Sequence, residues 1–519
     1  MNSSFKPLGL AAAVATATAG YAGVVNAQAS LAGNTQLGDL ALVPYYTTLG
    51  GYATGVNIIN TSDKTQAVKV RFRRAPDSMD ALDFNVVLSP YDMYTGYIAA
   101  AGDDIRFYSN DNSCTAPGYT DTSATPYFEM PSIYRTDADT GYIEIISMGS
   151  PTAETMPVAV SAKHDATGVP YNCDQVRDNF FADGVAGTAK GVVSSVESWQ
   201  FNDLAKLVQN TWEASPDSLK VSYFIKSDDS GVEFGNNAVH IAEFMDGASI
   251  TNQEKGVFSG DLQGFDHPDL NGGAPASTGI SGAATYGLYA PLRWTLGADA
   301  LINDWSANDA GPFSVDTDWV VTIPGQYVML DLPDYLRDLA GTLAVPPATD
   351  LVGVNDVCLT TPCDNRDIPM TATFTVYDRE ERGILIEEGD LVVSPAPPPE
   401  ISIDALPNEV NVIEWGAAPV LEAPEIFTTS NTLGSIDDLQ VPEGATFGWV
   451  NLAAVATTAK TQQICEYDQP ATIPLTMTCT PTDSPAPMIG FVAWQRNFDA
   501  LPAANYGRIV EHSRVQSSS

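Results

Sequence analysis

The sequence predicts a mainly β protein of antiparallel, immunoglobulin-like sandwich domains with a short helical insertion, and three observations carry that prediction. Apolar residues alternate with polar ones in many short runs, the signature of strands with two unlike faces. Those runs are rich in Val, Ile and aromatic residues and are separated by Gly, Pro, Asn and Asp turns. The chain has 519 residues, more than one ordinary core accommodates, so two or three domains are expected.

Residues 1–29 read as a secretory signal peptide: Lys6, a mild Ala/Val/Gly stretch, then small residues suited to cleavage after Ala27 or Ala29. Residues 30–170 read as an N-terminal β-sandwich domain. Within it, TGVNIINTSDK ends a strand in a turn. AVKVRFRR sets Val68, Val70 and Phe72 against Lys69, Arg71 and Arg73, which makes it a strand with one buried face and no basic patch. DFNVVLSPYD, GYIEIISMG and VAVSAKH (158–164) extend the meander.

Residues 171–215 read as the helical insertion, with Leu204, Leu207, Val208 and Trp212 on one face behind Asn202 and Asp203. Residues 216–519 read as one or more mainly β C-terminal domains, beginning with LKVSYFIK and NAVHIAEF. DALINDW (299–305) and PDYLRDLA (333–340) have the acidic starts of short helices. SPAPPPE at 394–400 reads as a rigid loop within a domain, with a polyproline linker as the alternative.

Lys and Arg number 24 against 64 Asp and Glu, for a net charge of −40, so nucleic acid is excluded as a partner on electrostatic grounds. An acidic coat suits a hydrated surface in salt and the binding of divalent cations. No run of apolar residues is long enough for a membrane-spanning helix. Six cysteines in an exported chain point to disulfides, and sequence order pairs Cys114 with Cys173, Cys358 with Cys363 and Cys465 with Cys479. A zinc site is disfavoured, because no C-x2-C occurs and His164, His240, His267 and His512 are scattered.

The order of several segments resembles a set of exported proteobacterial proteins labelled "cell surface protein". They are PYYTTLGGYATGVNIINTSDKTQAVKVRFRR, DNSCTAP, TDWVVTIP, YDREE followed by SPAPPPE, NEVNVIEW, PMIGFVAWQ and NYGRIVEH. The resemblance covers most of the chain after residue 29. It implies a cell-surface or extracellular location, with the periplasm open, and it implies no catalytic residues.

No catalytic motif stands out, so no enzyme is expected. YDREE gathers Asp378, Glu380 and Glu381, but Arg379 and Arg382 between them hold carboxylates ionised, which suits a strand-end ion cluster facing water better than a general acid. STGISGAATYG lacks a nucleophile elbow, and GVAGTAKG lacks phosphate-loop spacing. Calcium is the one cofactor that the oxygen-rich loops suggest: FDHPDLNGG offers Asp266, Asp269 and Asn271, and SDDSGVEFGNN offers Asp228, Asp229 and Glu233. Ordinary Asx and Gly turns explain both loops as well. Trp305, Trp319, Trp415, Trp449 and Trp494 suit a sandwich core, with a sugar platform as the alternative. The expected function is structural or adhesive, an envelope-layer component assembling with itself or other envelope components through divalent cations. The alternative is a secreted glycan-binding module or polysaccharide hydrolase.

Overall fold

The computed structural model describes, apart from isolated positions, residues 30–31, 37–177, 212–250, 268–270, 292, 295–308, 312–325, 370–383, 401–416, 426–427, 436–454, 463–467, 477–481 and 487–515. The described chain is mainly β, with antiparallel sheets packed as sandwiches and few, short helices. Residues 1–29, expected to be a signal peptide, the 333–340 segment and SPAPPPE lie outside these residues.

Two sheets form the N-terminal sandwich. The first has strands in the order Ser30–Leu31, Val239–Ala242, Leu40–Thr47, Thr140–Pro151, Gln66–Arg74, Asp80–Leu88 and Cys114–Ala116, with Trp212–Glu213 added on Thr140–Pro151. The second runs Glu233–Asn237, Leu219–Ser227, Tyr52–Asn60, Met93–Ala101, Asp104–Tyr108 and Tyr127–Glu129. Their facing sides bury Val68, Val70, Phe72, Phe84, Tyr94, Ile98 and Phe107 in one core.

The expected boundary between domains moves. Strands Leu219–Ser227, Glu233–Asn237 and Val239–Ala242 complete the N-terminal sheets, which therefore extend well beyond residue 170. Period-two alternation marks a strand but says nothing of its partner, so the boundary is invisible until register is known.

A ten-stranded third sheet makes the C-terminal sandwich. It bends where Ala300–Asn308 meets Ser314–Thr322 through only two residue pairs, Ala307 with Asp316 and Asn308 with Val315. One half carries Ile401–Leu406, Met370–Asp378, Phe447–Ala454, Ala300–Asn308 and Ser513–Val515. The other carries Tyr506–Glu511, Ile489–Asn497, Ser314–Thr322, Val410–Gly416 and Ile436–Gln440, the last pair parallel. Between the halves lie Leu301, Trp305, Trp319, Phe374, Trp415, Val450 and Leu452.

The second of these halves is buried on both sides. Trp319, Val321 and Val492 face its own sandwich, whereas Val320, Val412 and Phe491 join the N-terminal core. Tyr52 Oη donates to Ile426 O at 2.8 Å, Thr322 Oγ1 donates to Pro44 O at 2.6 Å, and the Phe427 ring meets Tyr45 at 5.1 Å. The two sandwiches thus share an apolar, hydrogen-bonded joint.

Three local readings are corrected. VAVSAKH forms helix Pro157–Ala162, not a strand, because Pro157 stands at the helix start and Val158, Ala159 and Ala162 bury together as a helical face. DALINDW belongs to strand Ala300–Asn308, where Leu301 and Trp305 point inward from alternate positions and the strand is paired along Phe447–Ala454. Trp212 sits in a strand opposite Pro151, not on a helix, and is buried. Of the expected helical insertion, helix Cys173–Arg177 is described.

The charged face of strand Gln66–Arg74 is not solvated. Lys69, Arg71 and Arg73 are as buried as the apolar face, among Asp80, Asp83 and Glu144. Lys69 Nζ lies 3.0 Å from Asp83 Oδ2, Arg71 Nε 2.8 Å from Asp80 Oδ2, and Arg73 Nε 3.0 Å from Glu144 Oε1. Ser78 bonds both Tyr142 Oη and the Glu409 carboxylate, so the network reaches the C-terminal sandwich. Opposite charges at hydrogen-bond distance replace the lost water, the condition under which buried charges are tolerated.

Candidate binding surface

The acidic candidates resolve first. Asp378 ends strand Met370–Asp378 on its inward side and is buried, so the expectation that the YDREE acids all face water fails for this residue. Its Oδ1 accepts the N–H groups of Glu380 at 2.8 Å and Arg382 at 2.7 Å, and its Oδ2 pairs with Arg382 Nε at 2.5 Å. Glu380 and Glu381 are exposed. The carboxylate that sequence singled out is thus the organiser of a tight turn, in which Glu381 takes a left-handed φ of 65°.

Of the calcium candidates, Asp228, Asp229, Asp266 and Asn271 lie outside the described residues. Glu233 is exposed on a strand, opposite Lys226, and Asp269 is half-buried in a separate segment. Among the described residues, no group of three or more His, Cys, Asp or Glu is placed to hold a metal ion. Cys114 and Cys173 are bridged, Cα to Cα 5.1 Å, fastening helix Cys173–Arg177 to the edge strand of the first sheet. Cys465 and Cys479 stand opposite one another in the hairpin of Gln463–Tyr467 and Met477–Pro481. Cys358 and Cys363 lie outside the described residues.

The tryptophans divide. Trp305, Trp319 and Trp415 are core residues, and Trp494 is partly buried beside them. Trp449 is 40% exposed and stacks on Tyr377 at 4.2 Å on the outer side of the third sheet.

A larger aromatic feature crosses the outer face of the second sheet. Register aligns Phe224, Gly55, Tyr97, Tyr108 and Tyr127 in one row across five adjacent strands. Alternation explains their outward direction, because their strand neighbours Tyr94, Ile98, Phe107 and Phe128 fill the core. Tyr97 stacks on Tyr108 at 5.2 Å, and Tyr108 meets Tyr127 at 5.6 Å. Arg106, held by Asp104 at 3.1 Å and Glu129 at 3.3 Å, lies over the Tyr127 ring at 4.4 Å. Gly55 has a specific role here: a Cβ at that position would lie 2.1 Å from Phe224 Cζ, so the absent side chain lets the Phe224 ring lie across the strand.

Beside the aromatic row runs a polar one. Ser222, Asn57 and Thr95 occupy matching positions on the same three strands, and Asn57 Nδ2 donates to Ser222 Oγ at 3.4 Å. The face therefore offers ring surface and, one register step away, hydroxyl and amide groups. These tyrosines carry no signal in the sequence, since each lies in a different strand and only pairing register brings them into line.

Comparison with known protein families, curated proteins and solved structures finds no match.

Proposed function

We propose that this chain is an exported protein of the cell surface that acts by adhesion, with the outer face of the second sheet as its contact surface. The observation that carries this reading is the row of Tyr97, Tyr108 and Tyr127, stacked in register on a sheet face where Tyr97 is 39% exposed. Rings in such a row lose little freedom on binding and supply contact area with a polar rim, which is how recognition surfaces are composed. The leader-like first 29 residues, the net charge of −40 and the Cys114–Cys173 bridge suit the same setting. Divalent cations bridging the acidic surfaces of neighbouring copies would turn adhesion into assembly.

A secreted glycan-binding module is the second reading, favoured by the same row with its hydroxyl and amide neighbours. A hydrolase has less support, because Asp378 is committed to its own turn. The test is fractionation of source cells together with re-attachment of purified protein to stripped cells. Retention on the surface, re-attachment by the native chain and loss of re-attachment in a Tyr97→Ala/Tyr108→Ala/Tyr127→Ala variant are expected. Release into the medium without re-attachment would remove the reading. Light scattering with calcium and with chelator tests assembly, a larger particle being expected with calcium.

A further inference from the structure

We infer that the aromatic row on the second sheet takes a neutral glycan chain lying across the strands, an inference that rests on the adhesive reading and specifies its ligand. A sugar ring has an apolar C–H face and a rim of hydroxyls. The second sheet presents the complement in two lines: Phe224, Tyr97, Tyr108 and Tyr127 as ring surface, and, one step along the strands of Phe224, Gly55 and Tyr97, the hydrogen-bonding groups of Ser222, Asn57 and Thr95.

Length fits a polymer. Phe224 and Tyr127 are four strand spacings apart, about 19 Å at the usual spacing between strands. A single small ligand would leave most of that row unused. Gly55 removes the side chain that would stand between Phe224 and Tyr97, so the row is continuous from Phe224 to Tyr127.

Charge selects among polymers. The chain carries −40 overall, so a polyanion such as nucleic acid or an acidic polysaccharide is repelled at long range. Near the row, Arg106 is paired with Asp104 and Glu129, so its charge is compensated within the protein. The neutral hydroxyl and amide groups of Ser222, Asn57 and Thr95 beside Phe224 and Tyr97 match the uncharged hydroxyls of a neutral glycan.

The experiment is affinity electrophoresis of the full chain through gels containing mixed-linkage β-glucan, xylan, galactomannan or, as the anionic comparison, polygalacturonate. Retardation by at least one neutral glycan and none by polygalacturonate is expected. Tyr97→Ala should weaken that retardation by about tenfold, the effect of losing one good contact, and Tyr97→Phe should restore it. Gly55→Ala, which pushes the Phe224 ring aside without straining the strand, should weaken it comparably. Tyr171→Ala, a substitution of a more exposed tyrosine away from this sheet, should leave it unchanged. Thermal unfolding of each variant establishes that the fold persists.

No retardation by any neutral glycan, retardation by polygalacturonate alone, or neutral retardation indifferent to both Tyr97→Ala and Gly55→Ala would overturn the inference. The same variants in the cell re-attachment assay separate the two levels. If glycan binding is absent but Tyr97→Ala still abolishes attachment, the ligand is wrong and the adhesive reading stands. If attachment is also indifferent to Tyr97→Ala, both fall.

Discussion

The two sheets of the N-terminal sandwich treat their outer faces in opposite ways. The first seals Lys69, Arg71, Arg73, Asp80, Asp83 and Glu144 away from water, and the second leaves Tyr97, Tyr108 and Tyr127 at the surface. Charge inside and rings outside invert the usual partition. The inversion shows that a strand's alternation separates two environments without saying which is wet. What lies beyond the sheet decides that. The outer side of the first sheet is flanked by Phe244, Met245 and Leu296 on one part and by Val158, Val176 and Trp212 on another, so its polar face is internal.

The largest test of this contrast is removal of one buried ionic partner. Lys69→Ala leaves the Asp83 carboxylate in the interior and should cost about 3–5 kcal/mol in chemical denaturation. Lys69→Met combined with Asp83→Leu, which removes both charges and keeps volume, should recover most of that loss. If Lys69→Ala cost no more than a surface substitution, the sealed face would not be sealed.

Next comes the staple over that face. Cys114→Ser/Cys173→Ser opens a crosslink between residues 59 apart and should lower stability by about 4 kcal/mol in the chain-entropy account, with strain or residual structure reducing it. Loosening should appear first in amide exchange of helix Cys173–Arg177 and strand Cys114–Ala116. Because Cys465 and Cys479 face one another in register, peptide mapping of the unreduced chain should also recover them as a linked pair.

The third test is acid. Burial lowers His240 and His512 from 6.5 to about 4, so each stays neutral in the fold and takes up a proton more readily when unfolded. Their contribution is complete above about 6.5 and is lost as pH falls from there through 4. Asp39 opposes them. Burial lifts its carboxyl to about 7 against the N–H groups of Phe244 and Met245, so its contribution is full below 3.8 and is lost as pH rises through 7. His240→Gln, which can still accept the Val221 N–H, should flatten the decline in unfolding midpoint between pH 6.5 and 4, whereas Asp39→Asn should steepen it.

The smallest effect belongs to the open face. Tyr108→Ala removes two ring contacts at the surface and should cost less than about 1 kcal/mol. A loss as large as that of Lys69→Ala would mean that the row is core, and would end its candidacy as a contact surface.

Much of the strand content was legible because Val68, Val70 and Phe72, or Phe374 and Val376, repeat at the period of a strand. The errors came where a short apolar run fits two periods, as at Pro157–Ala162, or where an acidic start mimics a helix cap, as before Ala300. The site was less legible. Asp378 and its neighbours drew attention as a cluster of charge, although one oxygen of Asp378 is spent on two backbone N–H groups of the same turn. Tyr97, Tyr108 and Tyr127 did not, since residues that are distant along the chain become neighbours only through pairing.

The joint between the sandwiches also governs the order in which the chain matures. Phe491 and Ala493 complete a core that begins with Ala41 and Val43. The part of that core facing the second sandwich is therefore covered only when Val320, Val412, Phe427 and Phe491 are in place. Contacts so far apart along the chain form slowly, because the intervening loop has to close before they are made.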